Sequence, residues 1–250
     1  MEEQGAHADS LPAQPAGRER RWHVCHPQMK TVLLTRPLDD EDRVPGLLAL
    51  AGVEVLRAPM IHFAPAPDEP ALLAALADAS DVDAVLLTSA RAIASVQGHL
   101  PQDASVVTLA ARTREKAVAA GLHVLPVRDA VDGDDLALAM MEHFGSLAGL
   151  RFLMVRSDVA EPAIITALRD QGALVEDVVG YRTLPATKVH DDVMARLQAR
   201  GVDAVVCMSP SAVRALVALV PHALLDAVTR AAPGKTTAAA WEDAGLPAHV

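Results

Sequence analysis

The stretch DAVLLTSARAI, residues 83–93, returns as DAVVCMSPSAV at residues 203–213. Each copy opens Asp-Ala-Val, continues apolar, reaches a Ser and closes on Ala and a β-branched residue. The offset of 120 positions recurs, relating Arg36 to Arg156 and Gly52 before VEVL to Gly172 before ALVE. RTREKAVAAGL (112–122) matches KTTAAAWEDAGL (235–246) at an offset of 124. A period this long lies outside the roughly 20–50 residues of solenoid repeats, so it marks two similar domains in one chain. With 250 residues there is length for two domains of about 100–150 residues each.

Apolar β-rich runs alternate with Ala- and Leu-rich helical stretches. The strand candidates are 31–35, 53–58, 83–89, 105–110, 123–127, 151–157, 174–181, 203–209, 226–232 and 247–250. Helices are expected over 69–79, 112–121, 162–172 and 192–201, and three of these end on Gly, as a left-handed C-terminal cap requires. Strands that are apolar throughout and separated by helices belong to parallel βα units. Two Pro-rich crossings, APMIHFAPAPDEP (58–70) and YRTLPATK (181–188), divide the chain. The economical arrangement makes 68–181 one α/β domain and joins 29–64 with 185–250 as a discontinuous partner. Residues 1–28 read as a disordered tail, of the kind an upstream-extended reading frame adds, with a folded part starting at Met29. The expected fold class is α/β, with two similar flavodoxin-like, doubly wound parallel sheets and a cleft between them.

Composition removes several function classes. A net charge of −10 disfavours general nucleic-acid binding, and 2% aromatics leave little for base stacking. No run reaches the ~18 apolar residues of a membrane span. Cys25 and Cys207 make neither a disulfide framework nor a zinc site, which fits a reducing cytosol. His23, Cys25 and His26 in the tail are read as incidental, and no metal is expected.

Ligands of open parallel sheets bind beyond the carboxyl ends of the strands, where helix N-termini favour anions. Thr88, Ser89 and Ser209 sit at such ends; Thr113, Thr236 and Thr237 begin the equivalent helices of the other repeat. Each hydroxyl has a simpler reading as an N-cap. PGKTT (233–237) is no phosphate loop, because the pattern needs Gly where Thr229 stands. His62, His99, His123, His143, His190 and His222 are scattered and expected to face solvent. The acids of DGDD (132–135) and PLDDED (37–42) read as loop and helix-start charges. Tyr181 is the single tyrosine and stands where the second crossing begins; it is either a packed hinge residue or a member of the site.

Together the pieces VLLTRP (32–37), DAVLLTSARAI (83–93), ARTREKAVAAGL (111–122), ALRDQGALVEDVVGYRT (167–183), DAVVCMSPSAV (203–213) and GKTTAAAWEDAGL (234–246) resemble the uroporphyrinogen-III synthase family. The resemblance spans about 31–248 in order and spacing. It implies two α/β domains joined by a two-stranded linker, and a cofactor-free, metal-free closure of the linear tetrapyrrole hydroxymethylbilane. In that reaction the last ring is inverted and water is lost. It further implies that Tyr181 assists departure of the leaving hydroxyl, with Thr88, Ser89, Thr113, Ser209, Thr236 and Thr237 lining the cleft. Arg36 and Arg156, equivalent in the repeat, are candidates to pair with substrate carboxylates or, equally, to make structural ion pairs. The implied partner is this small molecule alone, with no nucleic acid or membrane, bound by a cytoplasmic monomer.

The chain departs from the family pattern at Ala110, where Gly is usual, and at Glu161, where a cation is usual. It also stops at Val250, where a further helix is usual, so one face of the discontinuous domain's sheet is expected to lack cover. Two other readings stand beside the synthase: a binding or regulatory module without turnover, and a two-domain transferase sharing only the architecture.

Overall fold

The computed structural model describes residues 31–37, 43–160 and 163–249. In chain order the strands are β1 (Thr31–Leu34), β2 (Glu54–Arg57), β3 (Ile61–Pro65), β4 (Ala84–Leu87) and β5 (Ser105–Thr108). They continue as β6 (His123–Val124), β7 (Arg151–Ser157), β8 (Leu174–Pro185), β9 (Ala204–Val206) and β10 (Thr229–Ala231). The helices are α1 (Val44–Leu50), α2 (Glu69–Ala77), α3 (Ala92–Val96), α4 (Ala111–Ala119) and α5 (Gly133–Phe144). After them come α6 (Ala163–Asp170), α7 (Asp191–Gln198), α8 (Pro210–Leu219), α9 (His222–Asp226) and α10 (Lys235–Asp243).

The strands form a four-stranded sheet, order β10-β9-β1-β2, and a six-stranded sheet, order β3-β8-β7-β4-β5-β6. All pairings are parallel except β3 with β8. The duplication read from the sequence is therefore spatial as well. β2-β1-β9-β10 in one sheet follows the same order as β8-β7-β4-β5 in the other, with the chain entering the two at different points. Only the expected strand at 247–250 is corrected. Residues 247–249 are not a strand, although they occupy the place of β6 in the other copy. Leu125 N–H donates to the Val106 carbonyl at 2.8 Å, and 124 positions later His249 N–H donates to the Arg230 carbonyl, also at 2.8 Å. The ladder stops there because the Arg230 N–H is taken by the His249 ring Nδ1 at 3.0 Å and Pro247 supplies no donor.

Alternation along each strand divides the core. In the six-stranded sheet Ala84, Leu86, Phe152 and Met154 face α5 and α6, while Val85, Leu87, Leu153 and Val155 face α2, α3 and α4. In the smaller sheet Leu33 and Val205 face α7, α8 and α10, including the fully buried Trp241. Its second face holds Val32, Leu34 and Ala204 against Val44 and Leu48 of α1, a thin layer among the described residues. The Pro-rich crossings form the two-stranded linker that the family resemblance implies: β3 runs antiparallel to the second half of β8, from Ile61 opposite Pro185 to Pro65 opposite Tyr181.

β8 changes partner at Gly180. Arg156 pairs with Val179 but Ser157 pairs with Tyr181, so Gly180 is an extra residue in the β7–β8 ladder. The site favours glycine, since a Cβ there would run into Val155 Cγ1 and approach Ser95 Cβ to 3.2 Å, so these side chains would have to shift. Ser95 Oγ donates to the Gly180 carbonyl at 2.7 Å, which locks the bulge onto α3. The bulge also determines the side on which Tyr181 emerges, because side-chain period in a strand is two.

Candidate active site

The carboxyl ends of the parallel strands of both sheets open onto one cleft of about 520 Å³. From the smaller sheet come Thr35, Arg36 and Pro37 after β1, and Met208, Ser209 and Ala212 after β9. From the larger sheet come Ser89, Arg91 and Ala94 around the start of α3, Arg112 and Lys116 on α4, and Ile61 and Phe63 on β3. The lining contains four cations, Arg36, Arg91, Arg112 and Lys116, and no carboxylate among the described residues. In a chain of net charge −10 this is a local gathering of cations.

The two repeated serines both accept a backbone N–H, but only Ser209 caps its helix. Ser209 caps α8, accepting from Ala212 N–H at 3.3 Å, with Pro210 following where a missing N–H costs nothing. Ser89 accepts from Arg91 N–H at 3.2 Å. Accepting does not exhaust a hydroxyl, so each O–H stays able to donate into the cleft. The capping role and a binding role are compatible.

Of the other residues singled out in the sequence, Arg36 lies in the cleft lining and the rest do not. Thr88 is half-buried beside Ser89. Thr113 and Thr237 are buried on the inner faces of α4 and α10, and Thr236 is exposed. These threonines point away because a helix start carries its neighbours around the axis by about 100° per residue. Arg156 is engaged elsewhere: Nη2 lies 2.6 Å from Asp177 Oδ2 and Nη1 donates to the Ser157 carbonyl at 3.0 Å. Lys235 stands outside the cleft lining, and the six histidines are all exposed. Ala110 is the extended N-cap of α4 and supplies no side-chain acceptor. Glu161, residues 1–30 and the acids 39–42 lie outside the described residues.

Tyr181 lines an adjoining chamber of about 340 Å³ rather than the cleft proper. The two cavities share Phe63, Arg91 and Ala94. Arg91 lies over the Phe63 ring, 4.5 Å from its centroid, and Phe63 meets Tyr181 edge-on at 5.8 Å. The cations that sequence reasoning passed over, Arg91, Arg112 and Lys116, had a signal: all three follow a strand end within the first turns of the next helix.

Cys207, just after β9, is no nucleophile. Burial pushes its thiol up to about 12, opposed by a hydrogen bond with Thr35. Among the described residues no three His, Cys, Asp or Glu side chains are placed to hold a metal. No helix among them is long and apolar enough to cross a membrane.

Two α/β sheets whose strand ends face one cleft lined by four cations define the class, a two-sheet α/β protein with a candidate active site between the sheets. The uroporphyrinogen-III synthase (HemD) family model matches residues 42–250, beginning after β1 and Arg36. The chain belongs to the uroporphyrinogen-III synthase family, cyclising lyases of haem biosynthesis. It is 27% identical over 195 residues to the uroporphyrinogen-III synthase of Synechococcus elongatus, covering 74% of this chain and 72% of that one. In fold it resembles a mutant uroporphyrinogen III synthase from the extreme thermophile Thermus thermophilus, at 22% identity and a TM-score of 0.56 over 88% of this chain and 90% of that one. It also resembles the uroporphyrinogen-III synthetase of Helicobacter pylori, at 17% identity and a TM-score of 0.60 over 88% and 91% of the two chains.

Proposed function

We propose that the cleft binds hydroxymethylbilane and closes it to uroporphyrinogen III with inversion of the last ring. The observation that carries this reading is the set of four cations gathered at the strand ends. A tetrapyrrole with eight carboxylates finds there Arg36, Arg91, Arg112 and Lys116, two serine hydroxyls and the N-terminus of α8. The substrate ionises readily and closes spontaneously to the uninverted isomer. What the protein adds is therefore mainly position, holding the chain so that the substituted carbon of the last ring is the one attacked. That work needs no tuned histidine or activated thiol.

Tyr181 is the group we assign to the leaving hydroxyl. Its phenol donates a proton as the carbon–oxygen bond breaks, water departs, and an azafulvenium cation and a phenolate remain. The cation is attacked by the terminal pyrrole, and after rearrangement the proton released from carbon returns to the phenolate. Atoms balance with the loss of one water. We further propose that residues 29–64 with 185–250 and residues 68–181 are two domains that close on the substrate across the β3–β8 ribbon. The enzyme would work as a monomer in the cytoplasm, where the free Cys207 stays reduced.

The deciding experiment supplies enzymatically generated hydroxymethylbilane, then oxidises and separates the products. Type III isomer supports the synthase reading. Type I alone, with tight tetrapyrrole binding, supports a binding module without turnover, the reading that the position of Tyr181 outside the cleft favours. Tyr181→Phe is expected to slow type III formation without unfolding the protein; unchanged kinetics removes the phenol from the mechanism.

A further inference from the structure

We propose that the chamber around Tyr181 is a subsite for one ring of the substrate, the terminal ring bearing the hydroxymethyl group, with Arg91 and Phe63 as the residues that position it. The inference rests on the synthase reading above and deepens it. Small-molecule sites span roughly 300–1,000 Å³, and a chain of four substituted rings belongs at the top of that range. The cleft holds about 520 Å³ and the chamber about 340 Å³ more, joined at Phe63, Arg91 and Ala94. The substrate therefore needs both volumes, and the smaller is on the scale of a single ring.

The chemistry of the two walls differs. The cleft carries Arg36, Arg112 and Lys116. The chamber carries Phe63, Leu72, Leu73, Ala94 and Gly180 along with Tyr181, a mostly apolar lining suited to a pyrrole body. Its charged members are Glu69 and Arg91, and His99 is also there. Glu69 repels a carboxylate carried into the chamber, so the ring's acids are left on the Arg91 side. Ser95 has its hydroxyl committed to the Gly180 carbonyl.

Arg91 stands at the threshold, over the face of Phe63, while Tyr181 meets the same ring at its edge. A carboxylate is a stronger partner for a guanidinium than an exposed aromatic face is. A substrate acid at the threshold draws Arg91 off Phe63, and the ring that bears this acid takes up the exposed Phe63 face. Its hydroxymethyl carbon is then directed to the phenol, while the other three rings stay over the cleft cations. Seating this ring's hydroxymethyl carbon at the phenol fixes where the cation forms, so that the ring at the other end of the chain brings its substituted carbon, and not its free position, to attack it.

The test uses the full chain carrying Arg91→Met, Arg91→Lys or Phe63→Leu, each first shown to melt near the wild type. The single tyrosine, replaced by 3-fluorotyrosine, gives one fluorine resonance that reports on the chamber. With hydroxymethylbilane, Arg91→Met and Phe63→Leu are expected to lose at least tenfold in type III turnover and to release more type I product, with Arg91→Lys intermediate. Porphobilinogen, a single pyrrole with one acetate and one propionate, is expected to shift the fluorine resonance of the wild type and not that of Arg91→Met. A wild-type isomer ratio in both variants, an unchanged porphobilinogen shift in Arg91→Met, or no shift in the wild type overturns the subsite while leaving the synthase reading standing. Absence of type III product from the wild type overturns the reading itself.

Discussion

Ser157 sits opposite Tyr181 across the β7–β8 ladder, although the pair before it is Arg156 with Val179. The skipped residue is Gly180, whose missing side chain leaves room for Val155 and Ser95. Adding one methyl at this position is expected to cost about 1–3 kcal/mol, read as a fall in the midpoint of thermal unfolding. The same change turns Tyr181 and so lowers type III turnover in the protein that remains folded. Gly180→Ala combined with Val155→Ala should recover part of the stability, because the two side chains contend for one space. Additive losses in that double variant would show that the clash is not the cause.

Arg156 and Arg36 are equivalents in the duplication but have different duties. Arg156 is held by Asp177 at 2.6 Å, with the two side chains 21% and 28% exposed. Arg156→Met and Asp177→Asn are each expected to lower stability by about 1 kcal/mol and to leave the KM for hydroxymethylbilane unchanged. A rise in KM for Arg156→Met alone would return this residue to the binding site.

Arg112 and Lys116 lie one helical turn apart on α4 and both line the cleft. Removing a charged partner of a substrate carboxylate is worth about 1.5–3 kcal/mol. Arg112→Met and Lys116→Met are therefore expected to raise KM by roughly 10- to 100-fold. The wild type should lose affinity as ionic strength increases, and the variants should lose less. Parallel salt curves for variant and wild type would show that these cations do not touch the substrate.

Glu54 joins β2 to α7 and β1. Its carboxylate is held below the usual range first by the Arg196 hydrogen bond and then by that of Thr31. Because the folded state holds the proton less tightly than the unfolded one, this contribution is present above the unfolded value and is lost as pH falls through the folded one. Glu54→Gln should flatten the acid limb of the stability profile and leave its neutral region nearly level. An unaltered acid limb would assign the acid sensitivity elsewhere.

The Cys207 thiol behaves in the opposite sense. Its value is pushed from 9.0 to about 12, chiefly by burial, so the folded state retains the proton that the unfolded chain releases. The stability this confers is complete below 9.0 and declines as pH rises from there towards 12. In a Cys25→Ser background at about pH 8, below both values, alkylation of Cys207 should proceed only as fast as the protein opens. Rapid alkylation of the native protein would contradict the burial of this strand end.

The alternation of apolar runs with helical ones, the repeat at an offset of 120 and the Ser209 cap of the following helix were legible in the residues alone. Those features arise from neighbours a few positions apart: side-chain period, a hydroxyl within reach of an N–H, a proline where no donor is needed. The meeting of Arg36 with Arg91, Arg112 and Lys116 was not legible, nor was the withdrawal of Thr113, Thr237 and Arg156 from the cleft. Those depend on sheet order and on the face each helix turns inward. The side on which Tyr181 emerges depends on less still, a single extra residue in one ladder. Short-range stereochemistry wrote the elements into the chain, while the long-range pairing of β7 with β8 and β1 with β9 decided what shares a cavity.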